Sequence, residues 1–412
     1  MYLTSTLLLS VTALVSSTPT FKTRQTLNKP IFAHYMIGSI TPEHTNQDII
    51  DAQNLGLDAF ALNLDSLDDW ARNTTSHLFD QADTSGFGLF FSFDHNHFAN
   101  PADYTEFLKP YLNRTSYFQY NEQPLVSTFN GEDVSNADWA TFKEAVGDIL
   151  LIPGFSRATP KLDFFTGREA LDGIFNWNSW PAPGAGKANV SDSDDATYLT
   201  AAHDQGKLFM MGISPLQFKH MDSGNNWYLR GEGNLENRLE QVLALQPDMI
   251  ELQTWNDAGE GHYMGNWWEE PIQNTPIPDY VRGYDHTGYW KVLAPFIRAW
   301  KQGETTTAGM VPIGKTVQGA FWHHAVTVDA DCETDPLGKP RDYQNAEDVV
   351  SGIVLVESGK KGLVAVVTNG RKELGRINLS GGYNPFRFEG LGVGRVKIDI
   401  IDEAENVVVV GF

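Results

Sequence analysis

The sequence predicts a (β/α)₈ barrel followed by a small β-sandwich. Three observations lead there. Short apolar runs alternate with amphipathic stretches from about residue 31 to about residue 300, and eight such runs can be counted. Each is closed by a turn or polar residue, as expected of strands buried on both faces. Past residue 310 the helical period stops, and β-rich runs between Gly, Asn and Asp turns replace it. The chain has 412 residues, too many for one ordinary domain but suited to a barrel with a module appended.

The strands are expected at Ile31–Ile37, Ala59–Leu64, Gly88–Phe93, Pro124–Phe129, Leu150–Phe155, Gly173–Trp177, Leu208–Ile213 and Met249–Trp255. Helices fit Thr45–Leu55, Ser66–Gly86, Pro101–Leu112, Asn136–Val146, Asp192–Gln205, Leu235–Leu245 and Tyr289–Trp300. Asn136-Ala137-Asp138 offers a cap, and Pro101 suits a first helical turn. No helical period is legible between Phe155 and Gly173. A doubly wound open sheet competes, but no G-x-G-x-x-G opens the first unit. The barrel is expected over residues 28–302 and a small polar linker over 303–310. The sandwich would fill 311–412, with strands at Val350–Val356, Leu363–Thr368, Gly394–Ile401 and Asn406–Val410.

Charge narrows the partners. With 30 Lys+Arg against 52 Asp+Glu, the formal net charge is -22. Such a chain repels phosphate backbones and anionic membrane surfaces, so neither nucleic acid nor membrane is expected. The single cysteine, Cys332, excludes intramolecular disulfides and multi-cysteine metal sites. Residues 1–17 read as an export signal, with Leu7, Leu8, Leu9, Val11, Ala13, Leu14 and Val15 as its apolar centre. Sequons at Asn73, Asn113, Asn189 and Asn378 agree with a secreted glycoprotein.

In a barrel, chemistry sits at the C-terminal strand ends. Strand eight runs into Trp255-Asn256-Asp257-Ala258-Gly259-Glu260, with two carboxylates just past an apolar run. Glycoside hydrolysis needs such a pair, one protonated to serve the leaving oxygen and one ionised to activate water or attack carbon. Asp257 and Glu260 are therefore the candidate catalytic residues, with Gly259 permitting a tight turn. Spacing alone leaves both retaining and inverting geometries reachable. Asp65 and Asp94 end strands two and three, although Asp65 serves equally as a helix cap. Tyr35, His97, Asn176, Trp177, Trp180, Trp255 and Asn256 complete the candidate sugar contacts, since aromatic faces stack on sugar rings. Trp227, Tyr228, Trp267 and Trp268 lie in loops, and the segment 261–283 is expected to overhang the mouth. A divalent metal held by His95-x-His97 is the rival reading; alternating strand facing separates those histidines from Asp94, and no metal or cofactor is expected. His323-His324 reads as structural.

At these residues the chain resembles glycoside hydrolase family 71, the fungal α-1,3-glucanases or mutanases. The matching stretches are Phe32-Ala33-His34-Tyr35-Met36-Ile37-Gly38, Asp58-Ala59-Phe60-Ala61-Leu62-Asn63 and Phe90-Phe91-Ser92-Phe93-Asp94. Asp172-Gly173-Ile174-Phe175-Asn176-Trp177 and Trp255-Asn256-Asp257-Ala258-Gly259-Glu260 follow in order. The resemblance implies a barrel with a β-sandwich behind it. It also implies inverting, endo-acting hydrolysis of α-1,3-glucan, with Asp257 and Glu260 as acid and base in unassigned order. Gly261 stands where the family often has Ser, and Ala258 where an aromatic is expected. The implied protein is a secreted or wall-associated monomer whose partner is an α-glucan polysaccharide. The alternatives are a non-catalytic polysaccharide-binding protein and a glucanase of other linkage specificity.

Overall fold

The computed structural model describes residues 29–221 and 224–410, so the expected export signal lies outside the described residues. Eight parallel strands close a barrel: β1 (Ile31–Met36), β2 (Ala59–Leu64), β3 (Gly88–Asp94), β4 (Gln123–Phe129), β5 (Leu150–Phe155), β6 (Gly173–Asn176), β7 (Leu208–Ile213) and β8 (Met249–Leu252). They pair in the order β3-β2-β1-β8-β7-β6-β5-β4, and β3 pairs with β4 to complete the ring. Every residue of β2 and β3 is buried. That explains their continuous apolar character, with one face on the barrel interior and the other under helices.

The helices are α1 (Pro42–Leu55), α2 (Asp69–Ser85), α3 (Thr105–Leu108), α4 (Asn136–Val146), α5 (Ser193–Asp204), α6 (Asn234–Leu245), α7 (Pro278–Val281) and α8 (Trp290–Lys301). Thr41 caps α1 by accepting from the His44 N–H, and Pro42 follows in the first turn. The cap of α4 is Ser135, one residue before the expected Asn136 triplet. The helix expected over Pro101–Leu112 is reduced to a 3₁₀ turn, Pro101–Asp103, and the single turn α3. Between β5 and β6 the chain makes only turns.

The C-terminal region forms two antiparallel sheets. One contains β9 (Val317–Trp322), β10 (Val349–Val356) and β13 (Gly382–Glu389); the other contains β11 (Leu363–Asn369), β12 (Lys372–Leu379), β14 (Val396–Ile401) and β15 (Val407–Val410). Sequence reading finds four of these seven strands. β12 and β13 carry charged and half-buried residues, so their apolar period is weak. Both are edge strands, where Pro385 of β13 is tolerated.

The two regions share a core. Met310, Ala320, Ile353 and Leu355 pack in the same cluster as the barrel's apolar residues. Charged contacts cross the boundary: Arg230 pairs with Glu347, and His324 Nε2 lies 2.6 Å from Glu232 Oε1. His324 thus ties the C-terminal region to the barrel. Among the described residues, no helix is long and apolar enough to cross a membrane.

Candidate active site

The expected strand Met249–Trp255 stops at Leu252, and the next residues are stitched to the end of β1. The Trp255 N–H donates to the His34 carbonyl at 2.7 Å. Asn256 clamps the Met36 backbone, its Oδ1 accepting from N at 2.8 Å and its Nδ2 donating to O at 3.0 Å. The turn that follows is closed by its own side chains. Asp257 N–H donates to Thr254 Oγ1 at 2.9 Å, and Glu260 N–H donates to Asp257 Oδ1 at 2.9 Å. The left-handed residue is Gly261, at φ +70°, not Gly259. At Gly259 a Cβ would instead crowd Asp257 Oδ1 and Ile277 Cδ1, each 3.3 Å away.

The turn brings three ionisable groups together. One polar atom from each of Asp257, Glu260 and His262 lies within 4.8 Å of the others. His262 Nε2 is 3.3 Å from Asp257 Oδ2 and 3.8 Å from Glu260 Oε2. The imidazole is fully buried, whereas the two acid side chains keep 15% and 24% of their exposure. Their environments push them apart. Burial raises the Asp257 carboxyl, but the hydrogen bond and charge of His262 and the Glu260 N–H outweigh it, and the result lies below the usual range. Glu260 is pushed up to about 8, first by burial and then by the Asp257 charge. One carboxyl is thereby held ionised and its neighbour protonated near neutrality.

A two-stranded hairpin, Gln217–Lys219 with Trp227–Leu229, stands beside Glu260. Gln217 Nε2 donates a hydrogen bond to Glu260 Oε2, and the Phe218 N–H donates to the Glu260 carbonyl at 2.7 Å. On the other side, Trp180 and Trp177 lie 5.9 and 6.4 Å from the His262 ring, centroid to centroid. Gln253 holds that wall by donating to the Trp177 carbonyl at 2.8 Å. Asp94 ends β3 close enough for its charge to act on Glu260. Burial raises its own carboxyl, opposed by the Asn96 N–H and by the charges of His97 and His34. Asp65 is half-buried, and its Oδ1 has no partner. The segment 261–283 packs Tyr263, Ile277 and Val281 against Ala258, forming a small apolar cluster behind the turn.

Several expected sugar contacts are corrected. Tyr35 and Trp255 are 0% and 1% exposed, because both serve Asp48 of α1. Asp48 accepts from Tyr35 OH, Trp255 Nε1, Trp268 Nε1 and Asn266 Nδ2 at 2.8–3.0 Å. Burial lifts its pKa to about 6 against the pull of those four donors. Asn176 is buried, its Nδ2 donating to Asp195 at 2.8 Å. His97 is exposed, while His95 turns to the Tyr104 hydroxyl at 3.1 Å, so the two histidines form no common metal site. Asp257, Glu260 and His262 could offer a cation three ligands, but His262 Nε2 already faces Asp257 Oδ2 at 3.3 Å and the Glu260 carboxyl already accepts from Gln217. His262 and Gln217 were missed by sequence reasoning. His262 lies two residues past Glu260 in the same turn; Gln217 lies 43 residues away and carries no local signal.

The model of glycosyl hydrolase family 71 matches residues 27–411. The chain belongs to glycosyl hydrolase family 71. Like the rest of that family it is a glycoside hydrolase. The chain is 31% identical over 353 residues to a glucan endo-1,3-alpha-glucosidase of Schizosaccharomyces pombe, covering 79% of this chain and 78% of the relative. It is 28% identical over 362 residues to a mutanase of Penicillium rubens, covering 83% and 78% of the two chains. An ascus wall endo-1,3-alpha-glucanase of S. pombe is 28% identical over 376 residues, covering 86% and 84%. Among solved structures, the GH99 endo-alpha-mannosidase of Bacteroides thetaiotaomicron superposes with a TM-score of 0.51 at 13% identity, over 66% of this chain and 98% of that one. That likeness supports the barrel fold alone.

Proposed function

We propose that this family 71 enzyme hydrolyses α-1,3-glucosidic bonds within α-1,3-glucan, with Glu260 as general acid and Asp257 as its ionised partner. The observation that carries the roles is the geometry of two carboxyls with polar atoms within 4.8 Å of one another, one facing His262 Nε2 at 3.3 Å and the other bonded by Gln217. In these surroundings the pKa of Asp257 is lowered and that of Glu260 raised. A glycosidic oxygen is a poor leaving group unless it receives a proton, and Glu260 retains one near neutrality. Asp257 stays charged and faces the same space. Trp177 and Trp180 flank that space as the aromatic wall, and Asp94 stands near enough to accept from a sugar hydroxyl. The linkage and endo action follow the relatives named as a glucan endo-1,3-alpha-glucosidase and an endo-1,3-alpha-glucanase.

Inversion, implied by the family resemblance, places water between acid and base at a carboxyl separation of ~6.5–9.5 Å. The close approach of Asp257 and Glu260 favours a second reading, in which Asp257 attacks carbon directly and configuration is retained. The anomer released first from α-1,3-glucan, read by NMR before mutarotation, separates the two. The function itself is tested with Asp257→Asn and Glu260→Gln. Both variants should fold normally and release almost no reducing sugar from insoluble α-1,3-glucan, and activity retained in both refutes the proposal. Binding without turnover in the unmodified enzyme would instead mark a polysaccharide-binding protein.

We place the enzyme outside the cell or in the wall, acting as a monomer. Asn73, Asn113, Asn189 and Asn378 are all exposed, as glycan attachment requires. Glycan mapping on protein recovered from culture medium tests the location, and light scattering on the same protein tests the monomer.

A further inference from the structure

We propose that Gln217 is the positioning residue for the Glu260 carboxyl, and that the C-terminal region completes the active site by bracing the hairpin that carries Gln217. The proposal rests on the reading of Glu260 as the acid. Gln217 is 5% exposed and is engaged at both ends of its amide. Trp227 Nε1 donates to Gln217 Oε1 at 3.0 Å. An indole nitrogen can only donate, so the amide oxygen must face Trp227 and the NH₂ must face Glu260. The amide therefore has one orientation, and Glu260 Oε2 receives a hydrogen bond aimed by a neighbour rather than by solvent. The Phe218 N–H, bonded to the Glu260 carbonyl, holds hairpin and turn in register.

The hairpin is itself held from the C-terminal region. Residue 341 lies alongside Trp227 in a single parallel β-bridge: the Arg341 N–H donates to the Asn226 carbonyl at 3.1 Å, and the Tyr228 N–H donates to the Arg341 carbonyl at 2.9 Å. His220, one residue past the first hairpin strand, lies 2.7 Å from Asp335 Oδ2. Both Asp335 and Arg341 belong to the long connection between β9 and β10. A two-stranded hairpin alone is marginal in water, and these contacts give it a third partner. The groups whose charge bears on Glu260 are Asp257 of the same turn, Lys219 of the hairpin and Asp94 of β3. The neighbouring imidazole is His262, with Nε2 at 3.8 Å.

The test uses the full chain with four variants: Gln217→Leu, Gln217→Glu, Asp335→Ala and Glu260→Gln. Glu260→Gln must be inactive, and activity there removes the acid assignment itself. Gln217→Leu loses the donor and the aim of the carboxyl, so kcat should fall ~10–100-fold with KM changed less than about threefold. Removing a donor to a carboxylate disfavours its ionised form, so the alkaline limb of kcat should move to higher pH. Gln217→Glu keeps the shape, decides the matter if the leucine variant does not fold, and should move the limb in the same direction. Asp335→Ala should show a smaller kcat loss with the same signature. Wild-type kcat and alkaline limb in both Gln217 variants, beside an inactive Glu260→Gln, overturn the positioning role. An Asp335→Ala enzyme with wild-type kcat and limb overturns the bracing role.

Discussion

The proposed division of labour between Asp257 and Glu260 makes a quantitative demand on pH dependence. An ordinary glutamic acid with pKa ~4.3 would be about 2% protonated at pH 6. Glu260, at about 8, is protonated there to roughly 99%, so its surroundings multiply the competent acid population by ~50. Two causes act on it, burial and the Asp257 charge. At an effective dielectric of ~20, two unit charges about 5 Å apart repel by ~3 kcal/mol, equivalent to ~2 pK units. The profile of kcat should therefore be broad, with its alkaline limb near 8 and its acid limb below the usual carboxylate range, where Asp257 gains a proton. Glu260→Gln cannot supply a proton, so kcat on α-glucan should fall by ~10²–10⁴. An α-glucoside with a dinitrophenolate leaving group needs no acid. With it, the variant should keep most of its activity and lose the alkaline limb. The assay is steady-state kinetics from pH 3 to 10 on both substrates. An alkaline limb near 5, or equal losses on the two substrates, would refute Glu260 as the acid.

Further outcomes follow from the surroundings of the site. Glu236 of α6 is buried with an unpartnered Oε2, and burial lifts its pKa to about 8. Its folded pKa exceeds its unfolded one, so the folded state holds the extra proton and stability falls as pH rises from about 4.5 to about 8. Glu236→Gln should raise the melting temperature by several degrees at pH 8–9 and little at pH 4, as calorimetry can check. Arg238 and Asp195 form a fully buried pair at 2.6 Å, and Arg238 also donates to the Gly212 carbonyl. Arg238→Met leaves Asp195 buried without its cation and should cost ~3–5 kcal/mol in denaturant unfolding. Because Asp257 is already partnered by His262 and Glu260 by Gln217, excess chelator should leave the hydrolysis rate unchanged; loss restored by a divalent cation would return the metal reading.

Local pattern was enough for the barrel. β2 and β3 are buried on both faces, and only a near-continuous apolar run tolerates that, so Ala59–Leu64 and Gly88–Phe93 are legible without coordinates. The turn that carries the proposed acid pair was legible only in part. Two acids directly after such a run marked it, but its left-handed residue is Gly261 and not the expected Gly259. The edge strands β12 and β13 were not legible, because one partner and an open edge leave mixed composition affordable.

The sequence by itself determined the eight apolar runs that become the barrel strands and placed Asp257 and Glu260 together in the turn after the last of them. Only the tertiary structure decided what those residues meet. It took Tyr35 and Trp255 behind the wall, where Asp48 collects their polar hydrogens. It also brought Gln217 to Glu260, and Asp335 to His220. The physical reason is range. Burial and strand periodicity act within a few residues and leave a mark on composition, whereas hydrogen-bond partners are chosen by whichever loops closure of the barrel sets side by side.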